Sequence, residues 1–314
     1  ATAQFVRNQA FPGILDFAFQ RNVTSFVTEG RGAEKLVELF NADDLYTTAT
    51  TSAYGLTTFL GNHDMGRIGM FIDNAVSNEA DALAKSKLAN SLLFLLRGGP
   101  AIYYGDEKGM TGRGGDKAAR QDMFPTLVSY WQNEKRIGSD SIGTRSAFDV
   151  QNPLEDQITA MQVSIKANPA LRSGTQQIRF SNSEVFATTR YLNGQEYAVL
   201  FNSGETAQEV KFNVSTIGSK WTPVLGTAIS SSVAGPNLTV KVGPTNYVVL
   251  KAATKFKAKL APAVTLNAPR SDFAMDYLLE ISSTVKGDEY NQVTYLVREA
   301  GKNWVNIGTS DHRT

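Results

Sequence analysis

Cysteine is absent from the 314 residues, which excludes disulfides, thiolate chemistry and cysteine-ligated metal. Histidine is almost absent too: His63 is one of two, and His312 lies near the end. No apolar run is long enough to span a bilayer; the longest, residues 92–96, reads as a helix core. The net charge of +1 offers no long-range case for nucleic acid or an anionic membrane as partner. Low charge density with abundant Ser, Thr, Asn and Gly favours an exported protein, extracellular or periplasmic. No leader pattern is visible in residues 1–5 (ATAQF), which do not read as a natural beginning either. A chain of this length is expected to hold two or three domains with a substantial core.

The organising stretch is FLGNHDMGR, residues 59–67. Residues 56–60 (LTTFL) read as an apolar strand that stops at Gly61, and Asn62, His63 and Asp64 follow at once. Polar side chains at the C-terminal end of a buried strand are where a (β/α)8 barrel places its chemistry. An isolated N-H-D tripeptide is better read as a loop His with an Asp capping the next helix, so the context has to decide. Residues 14–19 (ILDFAF) read as a short strand interrupted by Asp16, and 20–40 as a helix with Leu36, Val37, Leu39 and Phe40 as its apolar stripe. Residues 79–97 are the clearest helix, stopped by Gly98-Gly99-Pro100. A strand over 101–104 and a glycine-rich charged loop over 108–122 come next, then a helix opened by Asn152-Pro153. Strand and helix alternate about three times, which is a parallel α/β pattern. A closed barrel needs eight strands and about 250 residues, so this part is expected to be only the last third of one.

From about Gln176 the apolar period switches to two. Residues 185–191 and 196–201 flank Asn193-Gly194, a hairpin signal. Strands over 209–214, 220–225, 238–242 and 246–250 complete the pattern of an antiparallel β-sandwich. Residues 251–259 (KAATKFKAK) read as a basic linker. Further short strands over 264–266, 277–284, 292–298 and 303–307 look like the start of another, Ig-like β module. The expected domains are residues 1–174 (partial barrel), 175–252 (sandwich), 253–262 (linker) and 263–314 (truncated β module).

The residues resemble a family. FLGNHDMGR resembles the strand 7 region of the α-amylase family, glycoside hydrolase family 13, and residues 99–107 (GPAIYYGDE) resemble its strand 8 signature. Residues 111–124 (TGRGGDKAARQDMF) are similar to the loop that follows, 15–17 (LDF) to the strand 6 region, and 168–171 (NPAL) to the end of the last barrel helix. The resemblance covers residues 5–252. It implies a retaining glycosidase acting on an α-glucan or malto-oligosaccharide, which requires a nucleophile and an acid/base carboxyl group about 5–5.5 Å apart. On the resemblance, Asp64 is the third, transition-state-stabilising carboxylate, and His63 hydrogen-bonds the hydroxyls of the sugar being cleaved. Asn62, Arg67, Arg120 and Asp122 join the substrate-binding set; a structural salt bridge and a sugar contact are both open for Arg67.

The motifs that carry the family's nucleophile, its acid/base Glu and its early Asn-His pair are not in this sequence. They would belong to a preceding N-terminal barrel part, a partner this chain would need, and the chain alone is expected to be inactive. Most calcium sites of the family also lie in those earlier loops, so no metal or cofactor is assigned here and calcium is left to the parent enzyme. The alternative is a non-catalytic carbohydrate-binding or surface protein that retains such modules. Trp221, Tyr247 and Trp304 are then candidate sugar platforms, each read more readily as a packing residue.

Overall fold

The computed structural model describes residues 2–8, 11, 13–48, 50–257, 263–267, 281–286 and 290–313. Contacts gather the chain into two units. The larger comprises Pro12–Ala42 and Tyr54–Phe256; the smaller comprises Ala1–Phe11, Asp43–Ala53 and Lys257–Thr314, and contains α1 (Thr2–Asn8).

The first half of the larger unit alternates helices with short parallel strand segments. The strand expected over 14–19 shrinks to a single parallel bridge, Leu15 to Thr57, because Asp16 starts a helix instead of continuing a strand. Its Oδ1 accepts the Phe19 N–H at 2.9 Å and caps α2 (Phe17–Glu29), while its Oδ2 takes a 2.6 Å bond from the Arg97 guanidinium. A side chain able to accept an exposed amide at a helix start favours that start over extension. The single helix expected over 20–40 is two. Gly30 and Gly32 adopt positive φ (69° and 95°) and separate α2 from α3 (Ala33–Asn41), a conformation open to glycine without steric cost.

Strand β1 (Thr57–Phe59) leads to α4 (Ile68–Ala75) and α5 (Glu79–Leu95), the latter capped by Asn78 accepting the Asp81 N–H at 2.9 Å. Strand β2 (Gly99–Ala101) pairs parallel with β1, Thr57 facing Gly99 and Phe59 facing Ala101. The strand expected over 101–104 therefore sits two residues early, and Tyr103 and Tyr104 are drawn out of it into contact with Arg67. Helices α6 (Ser129–Asn133), α7 (Pro153–Ala167) and α8 (Ala170–Ser173) follow; α7 starts as expected, with Asn152 accepting the Leu154 N–H at 2.9 Å.

Eight antiparallel strands come next: β3 (Thr175–Ser181), β4 (Val185–Leu192), β5 (Gln195–Asn202), β6 (Gln208–Asn213), β7 (Trp221–Gly226), β8 (Ala228–Ala234), β9 (Asn237–Val242) and β10 (Asn246–Ala252). They form a five-stranded sheet, β3-β4-β5-β10-β7, and a three-stranded sheet, β6-β9-β8. Successive side chains of β4 go to opposite cores. Val185 and Ala187 join Val210, Leu238 and Val240 between the two sheets, whereas Phe186 packs with α-helical residues such as Phe40 and Leu92. Both faces of the five-stranded sheet are covered, so its central strands lack an alternating polar face. Lys251 and Ala252, the last residues of the expected sandwich, complete β10. Residues 258–262, half of the expected 253–262 linker, lie outside the described residues.

In the smaller unit, β11 (Ala263–Asn267) pairs with β12 (Ser282–Lys286) and β13 (Tyr290–Val297) with β14 (Val305–Arg313), both antiparallel. Residues 277–280 of an expected strand lie outside the described residues. Among the described residues, no helix is long and apolar enough to cross a membrane.

The buried Asp16–Arg97 pair generates a stability prediction. Asp16→Ala removes the α2 cap and takes a 2.6 Å carboxylate partner from the buried Arg97 guanidinium. It should cost about 3–5 kcal/mol in urea denaturation, several times a cap loss of about 1 kcal/mol; a loss of only that smaller size would refute the ion-pair account.

Candidate active site

The turn after β1 is closed by its own backbone. Asn62 and Gly66 exchange two N–H to carbonyl bonds of 3.1 Å, and the Asn62 side-chain oxygen accepts the N–H groups of Asp64 and Met65, each at 2.9 Å. A Cβ on Gly61 would lie 2.6 Å from the Gly66 carbonyl oxygen, so the close approach requires glycine there. This tight loop turns His63 and Asp64 outward. Their side chains are 53% and 73% exposed, with His63 Nε2 3.2 Å from Asp64 Oδ1.

Arg120 reaches the same carboxylate from the glycine-rich loop, Nη2 standing 3.6 Å from Asp64 Oδ1. It is held there by Asp116, four residues earlier, through bonds of 2.6 and 3.1 Å from Nη2 and Nε. The Arg120 hydrogen bond draws the Asp116 carboxyl below the usual range. The structure thus brings together His63, Asp64 and Arg120 and adds Asp116, which the sequence reading passed over although its i,i+4 spacing from Arg120 was visible. Asp122 is exposed and, among the described residues, makes no ion pair with this group.

Arg67 faces inward. Its side chain has no exposed surface and forms an ion pair with Asp106 Oδ1 at 2.9 Å. It also donates to the Tyr104 carbonyl at 2.5 Å and to Gln121 Oε1 at 2.8 Å. The rings of Tyr103 and Tyr104 lie 4.4 and 5.0 Å from the guanidinium carbon. Of the two roles open to Arg67, the geometry displays the structural ion pair. Burial pushes the Asp106 carboxyl up to about 6, against the pull of the Arg67 charge, and burial likewise pushes the Tyr103 phenol up to about 12.

A depression of about 540 Å³ lies elsewhere, lined by Glu79, Lys135, Arg136 and Asp140 among others, and none of the residues expected at the site borders it. Among the described residues, no group of three or more His, Asp or Glu side chains could hold a metal ion. Of the three candidate platforms, Trp221 is buried between the sheets and Tyr247 packs on the helical core, while Trp304 is 42% exposed with the Arg298 guanidinium 4.6 Å over its ring.

The sequence model of the α-amylase catalytic domain matches residues 1–177, more than half of the chain. The chain belongs to the α-amylase family. Over 319 aligned residues it is 39% identical to an α-amylase of Streptomyces lividans, covering 99% of this chain and 34% of that protein. It is 30% identical to a cyclomaltodextrin glucanotransferase of a Bacillus species, over 71% of this chain and 28% of the relative. The chain therefore spans about a third of the length of these curated relatives. In three dimensions it is similar to the crystal structure of an Anoxybacillus α-amylase, with a TM-score of 0.61 and 17% identity over 82% of this chain and 50% of that one. That likeness shows an α-amylase-like fold with antiparallel sheets.

The raised Asp106 carboxyl generates a pH prediction. A folded-state value near 6 against an ordinary 3.8 means that the folded protein holds the extra proton between those limits. This group's stability contribution is therefore fully present below about pH 4 and is lost as pH rises through 6. Carbon-13 NMR of the Asp106 carboxyl should show a midpoint near 6, and Asp106→Asn should flatten the slope of stability between pH 4 and 6. A midpoint near 4 would overturn the burial argument.

Proposed function

We propose that this chain is the C-terminal portion of a retaining α-glucan hydrolase of α-amylase type. It would hold about strands 6 to 8 of the catalytic barrel, the β-sandwich that follows, and the start of an Ig-like module. The observation that carries the reading is the outward-facing His63–Asp64 pair at the C-terminal end of β1, in a chain of this family. An ionised Asp accepts hydrogen bonds from adjacent sugar hydroxyls, and such bonds strengthen as positive charge develops on a flattening ring. His63 supplies a donor to the same sugar, and Arg120 and Asp122 reach the neighbouring one. Nucleophile and acid/base come from residues outside this sequence; the Asp116 carboxylate, which approaches the same Arg120 as Asp64, is tied to it by hydrogen bonds. The glucan substrate and the extracellular or periplasmic setting belong to this same proposal, the setting resting on the low charge density and abundant Ser, Thr, Asn and Gly of the sequence.

In the full-length protein, Asp64→Asn keeps the shape and removes the charge, so kcat should fall about 10²- to 10³-fold with glucan affinity far less changed. His63→Ala should cost about 2–4 kcal/mol of transition-state stabilisation. The isolated 314-residue chain should release no reducing sugar from soluble starch. Near-normal turnover in Asp64→Asn would sink the assigned role, absence of turnover in the full-length wild-type protein would favour the non-catalytic reading, and turnover by the chain alone would refute the division of the site.

A further inference from the structure

Gln121 lies between Arg120 and Asp122, both exposed to solvent, and its own side chain turns the other way. It is 2% exposed. Its Oε1 accepts from Arg67 Nε at 2.8 Å, and its Nε2 donates to Glu134 Oε2 at 2.5 Å. The other Glu134 oxygen accepts the backbone N–H of Arg113 at 3.3 Å. The Arg113 side chain in turn binds Asp73 Oδ2, with Nε at 2.6 Å, and Lys135 Nζ binds Asp73 Oδ1, also at 2.6 Å. Both ends of the 113–135 loop are thus fastened to α4, and its middle is fastened to Arg67, the residue just before α4.

A primary amide suits this middle position because it accepts at one end and donates at the other. Arg67 demands an acceptor and the Glu134 carboxylate demands a donor. A carboxylate or an ammonium in place of the amide would set like charges together, and an aliphatic side chain would leave buried polar groups unanswered. Burial also pushes the Glu134 carboxyl above its usual range, with the Gln121 hydrogen bond acting in the opposite direction. The bridge therefore has one orientation, and it fixes the backbone of the residue next to Arg120.

We propose that Gln121 is a positioning residue, whose amide bridge from Arg67 to Glu134 sets Arg120 against Asp64 and thereby the affinity for the glucan chain. This deepens the function proposed above and rests on it. The experiment is a mutant cycle in the full-length enzyme, reading KM and kcat on a malto-oligosaccharide and, independently of turnover, maltoheptaose affinity by calorimetry. Gln121→Leu should raise KM about tenfold with kcat changed about twofold or less. In an Arg120→Ala background the same substitution should add nothing, because the residue it acts through is gone. Gln121→Glu alone should raise KM, and joining it with Glu134→Gln should restore the wild-type value, since every donor again meets an acceptor.

An unchanged KM in Gln121→Leu overturns the inference, as does a tenfold effect that persists without Arg120. If Gln121→Leu does not fold, the paired exchange decides: a folded paired variant whose KM stays high also overturns it. A wild-type enzyme that neither binds nor cleaves the oligosaccharide overturns the reading of the site, and this inference with it.

Discussion

A guanidinium with no exposed surface needs its charge and its N–H groups answered from within the protein, and the first half of this fold is arranged around that demand at Arg67. Asp106 answers the charge, the Tyr104 carbonyl and the Gln121 amide take further N–H groups, and two tyrosine rings flank the plane. Each partner comes from a different stretch: the end of the β2 segment, the turn after it and the glycine-rich loop. Removing Asp106 would leave a desolvated charge, and removing either neutral acceptor would leave a buried N–H unpaired in addition to Nη2, which has no hydrogen-bond partner among the described residues. His63 and Asp64 lie four and three residues before this anchor, in the turn that Asn62 and Gly66 close.

The second half is joined to the first by the same device used on carbonyl groups. Arg190, on the helix-facing side of β4, donates to the carbonyls of Leu95 and Arg172, which end α5 and lie in α8. Helix C-termini present carbonyls without intrahelical partners and a partial negative charge, so a buried cation is well placed there. Burial draws the Arg190 guanidinium down to about 10, still well above neutral pH, and it remains charged. Phe186, Tyr197, Phe201 and Val249 from the same sheet face complete the apolar contact with the helices. The sheet is thereby a shared wall of two cores rather than an appended module.

Against this buried scaffold, the proposed sugar-facing groups are the exposed ones. Rigid neighbours and free tips suit a site that must accept hydrogen bonds from sugar hydroxyls without rearranging, because preorganised donors and acceptors cost no reorganisation when the reaction occurs. The tight Asn62–Gly66 turn supplies the rigidity under His63 and Asp64, and the Asp116–Arg120 pair supplies it across the loop.

Much was legible from neighbouring residues. The Asn193-Gly194 hairpin appears with both residues at positive φ (52° and 77°), and α5 and α7 start at Asn78 and Asn152, whose side chains accept amides two or three residues on. The family motifs, too, are contiguous strings. Strand β8 (AISSSVA) was missed because its side chains are mostly exposed and its identity comes from pairing with β9. Asp16 reads alike as a strand interruption and a helix cap; only Arg97, eighty-one residues away, shows what it does. The inward turn of Arg67 and the roles of Gln121 and Glu134 were equally invisible. Caps, turns and periodicity are settled by groups within a few residues, which the sequence lists in order. A buried charge or amide takes its meaning from partners tens of residues away, and only the folded chain brings those together.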